Sequence, residues 1–152
     1  MKRITQVVWL LAFVAGFGAF AVAPAAAQTS AGIRAGLSVD PDQFYFGGHM
    51  ETPPLVDQLR FKPNVEIGIG NDITLVALNI EFAYVFPSQR AWHIYAGGGP
   101  ALVVIDASSD TDSGGGFNLF VGAEHQSGLF MEVKVGVVDS PDLKIGVGYS
   151  FR

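Results

Sequence analysis

The run DASSDTDSGGG, Asp106 to Gly116, offers Asp106, Asp110 and Asp112 as hard oxygen donors, suited to calcium or to a divalent bridge onto phosphate. It carries only fragments of a calcium-loop pattern and no bidentate glutamate, so a flexible, solvated connection is the plainer expectation. His49 and His93 fall within strand-like segments and are expected as members of an internal hydrogen-bond network rather than as metal ligands or pH sensors. His125-Gln126-Ser127-Gly128 reads as a hairpin turn. The chain has no cysteine, which removes disulfides, thiolate zinc sites and cysteine nucleophiles. It also lacks G-x-S-x-G, H-E-x-x-H and Walker A sequences. No catalytic, cofactor-binding or metal-binding residue is assigned on these grounds, and no cofactor is expected.

The elements that must position these residues begin with an export segment. Lys2 and Arg3 precede an apolar run from Val7 to about Val22, and Pro24-Ala25-Ala26-Ala27 supplies the A-x-A pattern of a signal-peptidase site. Residues 1–27 are therefore expected as a signal peptide and residues 28–152 as one domain. A retained anchor is the alternative, since Val7 to Ala27 runs 21 residues without a charge. Pro24 and the alanine cluster favour cleavage. Removing Lys2 and Arg3 leaves seven basic and fourteen acidic side chains, a net −7, which repels nucleic acid. An apolar content of 49% excludes disorder.

After Gln28 the periodicity is two, not 3.6, and turn signals divide it into eight segments. The first alternates Ile33, Ala35, Leu37 and Val39 with Arg34, Gly36, Ser38 and Asp40. The second spans Gln43 to Glu51, and the third spans Arg60 to Gly70 before the Gly70-Asn71-Asp72 turn. The fourth ends at Phe86. The fifth, Trp92 to Ile105, contains Gly97-Gly98-Gly99-Pro100, where a bulge or kink shifting the register is expected. The sixth covers Phe117 to Glu124, the seventh Met131 to Val137 and the eighth Leu143 to Phe151. Eight strands of this length leave room only for short connections, so antiparallel neighbours in chain order are implied.

Alternation alone does not say which face is outside. The polar face is rich in glycine, at Gly36, Gly47, Gly68, Gly97, Gly122, Gly136, Gly146 and Gly148, which suits a crowded interior. The same face collects Glu51, Glu66, Glu81, Glu124 and Glu132 with Arg34, Arg60, Lys62, Lys134 and Lys144. Five acids balanced by five bases fit a narrow lumen in which isolated charges would be costly. His49 and His93 share that parity, and Leu75, Ala77 and Val103 make it less than uniformly polar. The expected fold class is therefore all-β, an eight-stranded antiparallel up-and-down transmembrane β-barrel.

The charges outside the segments sort by end. Connections after the first, third, fifth and seventh segments hold Asp40, Asp42, Asp72, Asp106, Asp110, Asp112, Asp139 and Asp142, with no Lys or Arg. Phe44, Phe46, Tyr84, Phe86, Trp92, Tyr149 and Phe151 near strand ends suit interfacial girdles.

With strand count, alternation and the ending GVGYSFR in view, the chain resembles the small eight-stranded outer-membrane β-barrel proteins of Gram-negative bacteria, the OmpA/OmpX-like class. Val147, Tyr149 and Phe151 match the aromatic final strand read by the outer-membrane assembly machinery, although Arg152 follows the phenylalanine. Thr52 to Leu59 is a long connection for the periplasmic side. The resemblance implies a monomeric outer-membrane protein with a filled, non-porin interior, in contact with outer-membrane lipid and lipopolysaccharide, in a structural or surface-interaction role. Two alternatives remain. One is a soluble, lipocalin-like periplasmic binding barrel. The other is a lipid A deacylase-like enzyme, because those deacylases are similar in size and fold and use an H-x-S pair. That similarity would make Ser127 the nucleophile, His125 the base and Glu124 or Glu132 the orienting acid. The turn containing them falls on the periplasmic side, away from the leaflet that holds lipid A, so no enzymatic activity is expected.

Overall fold

The computed structural model describes residues 29–107 and 110–152. Residues 1–28, which contain the expected signal peptide, and Ser108-Ser109 lie outside the described residues. Ten strands run in chain order: β1 (Ser30–Val39), β2 (Gln43–Glu51), β3 (Leu59–Phe61), β4 (Asn64–Gly70), β5 (Ile73–Asn79), β6 (Phe82–Val85), β7 (Trp92–Ala107), β8 (Asp110–His125), β9 (Leu129–Val137) and β10 (Leu143–Phe151). Every pairing is antiparallel. The β1–β10 ladder, from Ala31↔Phe151 to Val39↔Leu143, joins the first strand to the last and closes the sheet.

The wall has eight strands, because β3 with β4 and β5 with β6 are each one strand interrupted by proline chemistry. Lys62 and Glu81 remain paired, with the Lys62 amide donating to the Glu81 carbonyl at 2.8 Å. Pro63 and Pro100 flank Ile80 on its two sides, and neither has an amide to give. Their carbonyls still accept, from Met50 and Ile80 respectively, each at 2.9 Å. Ladder bonds are lost there while alignment is kept.

For the same reason the expected register shift at Gly97-Gly98-Gly99-Pro100 does not occur. Phe82↔Gly98 and Asn79↔Ala101 lie on one unbroken alignment, as do all pairs from Trp92↔His125 to Ala107↔Asp110. Gly97 faces inward, where a Cβ would meet the Phe120 ring and the Phe82 carbonyl. Glycine here relieves crowding without bending the strand.

A second correction concerns Asp106 to Gly116. Instead of an open connection, this stretch is a two-stranded ladder, from Ala101↔Gly116 to Ala107↔Asp110. The β-branched residues Val103, Val104 and Ile105 hold β7 extended, and the Asp-Ser-Gly composition of the partner disguises a strand that needs only backbone pairing. β8 therefore begins at Asp110 rather than at Phe117.

The alternation sorts side chains by polarity. Along β9, Leu129, Met131, Val133, Val135 and Val137 are exposed, while Phe130, Glu132 and Lys134 are buried. Leu37 is 64% exposed and Glu66 only 1%. Strands of nine or ten residues, tilted as closure requires, give a wall about 25 Å tall, the height of a lipid-facing apolar band.

Candidate functional site

Inside the wall, the ten charged residues expected in the lumen are all turned inward. Nine are buried, and Arg60 is partly covered at one mouth. They assemble as two clusters separated by aromatic rings.

The larger cluster joins Arg34, Lys134 and Lys144 to Glu66, Glu81 and Glu132. Arg34 Nη1 lies 3.2 Å from Glu66 and 3.3 Å from Glu132. Lys134 Nζ reaches Glu81 at 2.6 Å and stands 3.6 Å from both Glu66 and Glu132. Lys144 binds the other oxygen of Glu66 at 2.5 Å. Three positive and three negative groups neutralise one another where an unpaired ion would be expensive.

The smaller cluster lies towards the mouth holding Ser30 and Phe151. Arg60 binds Glu51 and also Glu124, the latter at 3.2 Å, while Lys62 is 3.7 Å from Glu51. Arg152 adds a third cation, 3.0 Å from Glu124 and 3.6 Å from Glu51. The sequence reading missed this role because Arg152 registers there only as a departure from an aromatic terminus. The signal was there, since Arg152 shares the inward parity of Lys144 and Ser150, one residue beyond the last paired position.

Large rings fill space that glycines leave open, Tyr95 and Phe130 between the clusters and Tyr45 beside Lys144. The Tyr95 ring stands where a Cβ on Gly122 would project, and Tyr45 occupies the corresponding space over Gly146 and Gly36. Tyr95 donates its hydroxyl proton to Glu132 at 2.9 Å. Lys62 Nζ sits 4.2 Å from the centroid of the Tyr95 ring, and Arg34 stands 5.4 Å from that of Phe130. Alternating large and small residues is how a narrow barrel fills its core.

An asparagine relay crosses the lumen beside the larger cluster. Asn118 Nδ2 donates to Asn79 at 2.8 Å, Asn79 Nδ2 to Asn64 at 2.7 Å, and Asn64 Nδ2 to Glu81 at 2.7 Å. The first bond passes over β7 at Gly99 and Ala101, residues small enough to let it through. The polar-face parity contains all three asparagines, but charge balance drew attention elsewhere.

His49 is buried, 2.9 Å from Ser150 Oγ and edge-on to Phe130 at 5.1 Å. His93 is half-buried near the opposite end of the wall's fifth strand from Ala107, paired in register with Glu124. The two histidines are not brought together.

The acidic residues Asp40, Asp42, Asp72, Asp106, Asp110, Asp112, Asp139 and Asp142 are all exposed at the other mouth. Among the described residues, no three His, Asp or Glu side chains converge as a metal site. Two of these aspartates serve the backbone: Asp110 accepts from the Thr111 amide at 2.9 Å and Asp112 from the Ser113 amide at 2.8 Å. That stretch of β8 extends beyond its pairing with β9, which starts at Phe117↔Val137. The carboxylates thus satisfy amides on a strand edge that has no neighbour. Gly114 and Gly116 leave room for Asp139 and Ser140 to fold over the mouth. Beneath them a cavity of about 220 Å³ has Leu75, Val103 and Ile105 on its floor.

His125 and Ser127 form a turn. Nδ1 lies 2.8 Å from Ser127 Oγ and accepts from the Ser127 amide at 3.1 Å, and the ring packs on Trp92 at 5.0 Å. Glu124 and Glu132 point into the lumen, committed to Arg60, Arg152, Arg34 and Tyr95. The structure brings neither acid to the histidine.

No family model and no curated protein matches the sequence. Solved structures do match in shape. The N-terminal β-barrel domain of Pseudomonas aeruginosa OprF superposes with a TM-score of 0.58 at 16% identity, covering 82% of this chain and 100% of that one. Neisserial surface protein A, NspA, gives a TM-score of 0.58 at 13% identity, covering 81% of this chain and 96% of that one. Closure through β1 and β10, an apolar exterior, a charge-filled interior and these two likenesses identify the fold as that of the small eight-stranded outer-membrane β-barrels.

Proposed function

We propose that this chain is an integral outer-membrane protein whose interior is packed rather than porin-like, and whose role is structural or surface-interacting, not enzymatic. The observation that carries the reading is the inverted barrel: Glu66, Glu81, Lys134 and Arg34 are buried on the axis while Leu37, Val133, Ile145 and Val147 are exposed on the wall. Water would solvate neither arrangement well. Hydrocarbon accommodates the wall, and closure satisfies the strand edges, as lipid requires.

In this reading the 1–27 segment is removed after Sec export, and the assembly machinery recognises the strand ending in Tyr149 and Phe151. The barrel acts as a monomer among outer-membrane lipids, with its aspartate-rich mouth towards lipopolysaccharide and external partners. The soluble-binder alternative needs an apolar lumen. Here the buried apolar residues form two small clusters, Leu75, Ala77, Ala101 and Val103 with Ile105 against them, and Ala83, Val85, Tyr95 and Phe120, beside a lumen otherwise filled by charges. Fractionation of expressing cells tests the proposal. The protein is expected in the detergent-extracted outer-membrane fraction, with negligible conductance after reconstitution in planar bilayers. Release by osmotic shock without detergent, or stable porin-sized currents, would overturn it.

A further inference from the structure

The connection from Thr52 to Gln58 is the feature of the wall that the barrel itself does not explain. It follows β2 at the mouth holding Ser30 and Phe151, and it carries Leu55 and Val56, 55% and 66% exposed. It is an ordered turn. The Leu55 amide donates to the Leu59 carbonyl at 2.7 Å and the Leu59 amide to the Val56 carbonyl at 2.9 Å, and Asp57 takes a left-handed conformation at φ 48°. Thr52 Oγ1 accepts from the Phe61 amide at 3.2 Å. An ordered backbone thus holds two adjacent aliphatic side chains outward at the end of an apolar wall.

The turn is tied to the wall at a known level. Leu59 pairs with Tyr84, and the Val85 amide donates to the Gln58 carbonyl at 3.0 Å. Tyr84 packs on Phe86 at 5.1 Å, and Phe61 on Phe82 at the same distance. The turn folds back on itself, so that Val56 bridges Leu59 and the Leu55 amide reaches the Leu59 carbonyl, which sets both aliphatic residues beside Leu59. The polar interfacial zone of a bilayer is about 5–7 Å deep on each side. Leu55 and Val56 therefore stand at the level of Leu59 and of its partner Tyr84, which is 43% exposed in the row of strand-end aromatics that suits that zone.

We propose that the Thr52–Gln58 turn is a membrane anchor, with Leu55 and Val56 seated in the lipid interface of the leaflet at that end and Asp57 directed to water. The proposal rests on the lipid-facing reading of the wall. Its partner is the bilayer itself, chosen because the apolar surface of the turn continues the wall that lipid covers.

The test uses the absence of cysteine, which allows single nitroxide labels at Leu55→Cys, Val56→Cys, Asp57→Cys and Val133→Cys in the full-length barrel reconstituted in phosphatidylcholine vesicles. Collisions with oxygen and with an aqueous nickel chelate report depth. The expected result is loss of chelate collisions at 55 and 56, comparable to that at 133, with chelate collisions retained at 57. Chelate access at 55 and 56 equal to that at 57, with 133 protected, would overturn the anchor and leave the barrel reading intact. Chelate access at 133 would overturn both. Spin–spin broadening at 55 or 56 would show a second copy covering the turn, and would also overturn the anchor.

Discussion

The Tyr95 ring occupies the space that a side chain on Gly122 would require, and its hydroxyl donates to Glu132 at 2.9 Å. One residue is large because the other, its direct partner across the β7–β8 ladder, has no side chain. Gly122→Leu is expected to prevent folding, because the ring is fully buried and has nowhere to move. Tyr95→Phe keeps the packing and loses one hydrogen bond to a charged group, at a cost of about 1.5–3 kcal/mol. Urea titration of the barrel folded in detergent micelles separates the two. Equal effects would show that the Gly122–Tyr95 fit is not the constraint.

Glu66 is the hub of the larger cluster, with contacts to Arg34, Lys134 and Lys144. Glu66→Gln leaves three buried cations facing two acids and is expected to destabilise by about 3–5 kcal/mol. The same urea titration reads this as a lower midpoint. Adding Lys144→Met should recover part of the loss, since it removes the cation left without its closest partner. A double variant no more stable than the single one would contradict the pairing.

Val133 stands 40% exposed midway along β9. If lipid covers it, Val133→Arg costs about 2–4 kcal/mol when the barrel folds into bilayers. A surface valine facing water would tolerate the change within about 0.5 kcal/mol. Folding yield into phosphatidylcholine vesicles across a urea series distinguishes these outcomes.

The His125–Ser127 contact holds a turn in this account, with Glu124 and Glu132 engaged inside the lumen. Expression is expected to leave the acyl-chain count of lipid A unchanged in mass spectra, for the wild-type chain and for Ser127→Ala alike. Loss of an acyl chain in the first and not the second would establish catalysis instead.

Much of this arrangement is legible in the sequence because strand parity is unforgiving. A one-residue slip in β9 would exchange Glu132 and Lys134 with Val133 and Val135, so polarity alone places each residue inside or out. Charge balance then points to a sealed lumen. Partners within the lumen are less legible: Glu66 could have met any of several cations, and the choice of Lys144 depends on the circumferential position of strands 78 residues apart. The relay through Asn118, Asn79 and Asn64 is invisible until β7 is seen to present Gly99 and Ala101 beneath it. The extension of β8 to Asp110 escaped detection because Asp, Ser and Gly carry turn signals, while the pairing is imposed by β7. The glycine-proline run in β7 erred in the opposite sense, suggesting a break that the surrounding ladders override.

Electrophoretic mobility of protein extracted from outer membranes, compared before and after boiling in SDS, tests the closed, lipid-facing barrel most directly. Two bands are predicted: a compact form without boiling and an unfolded form after it, since SDS alone leaves a closed barrel intact. A single band at the unfolded position in both lanes, from protein otherwise shown to be native, would contradict the account.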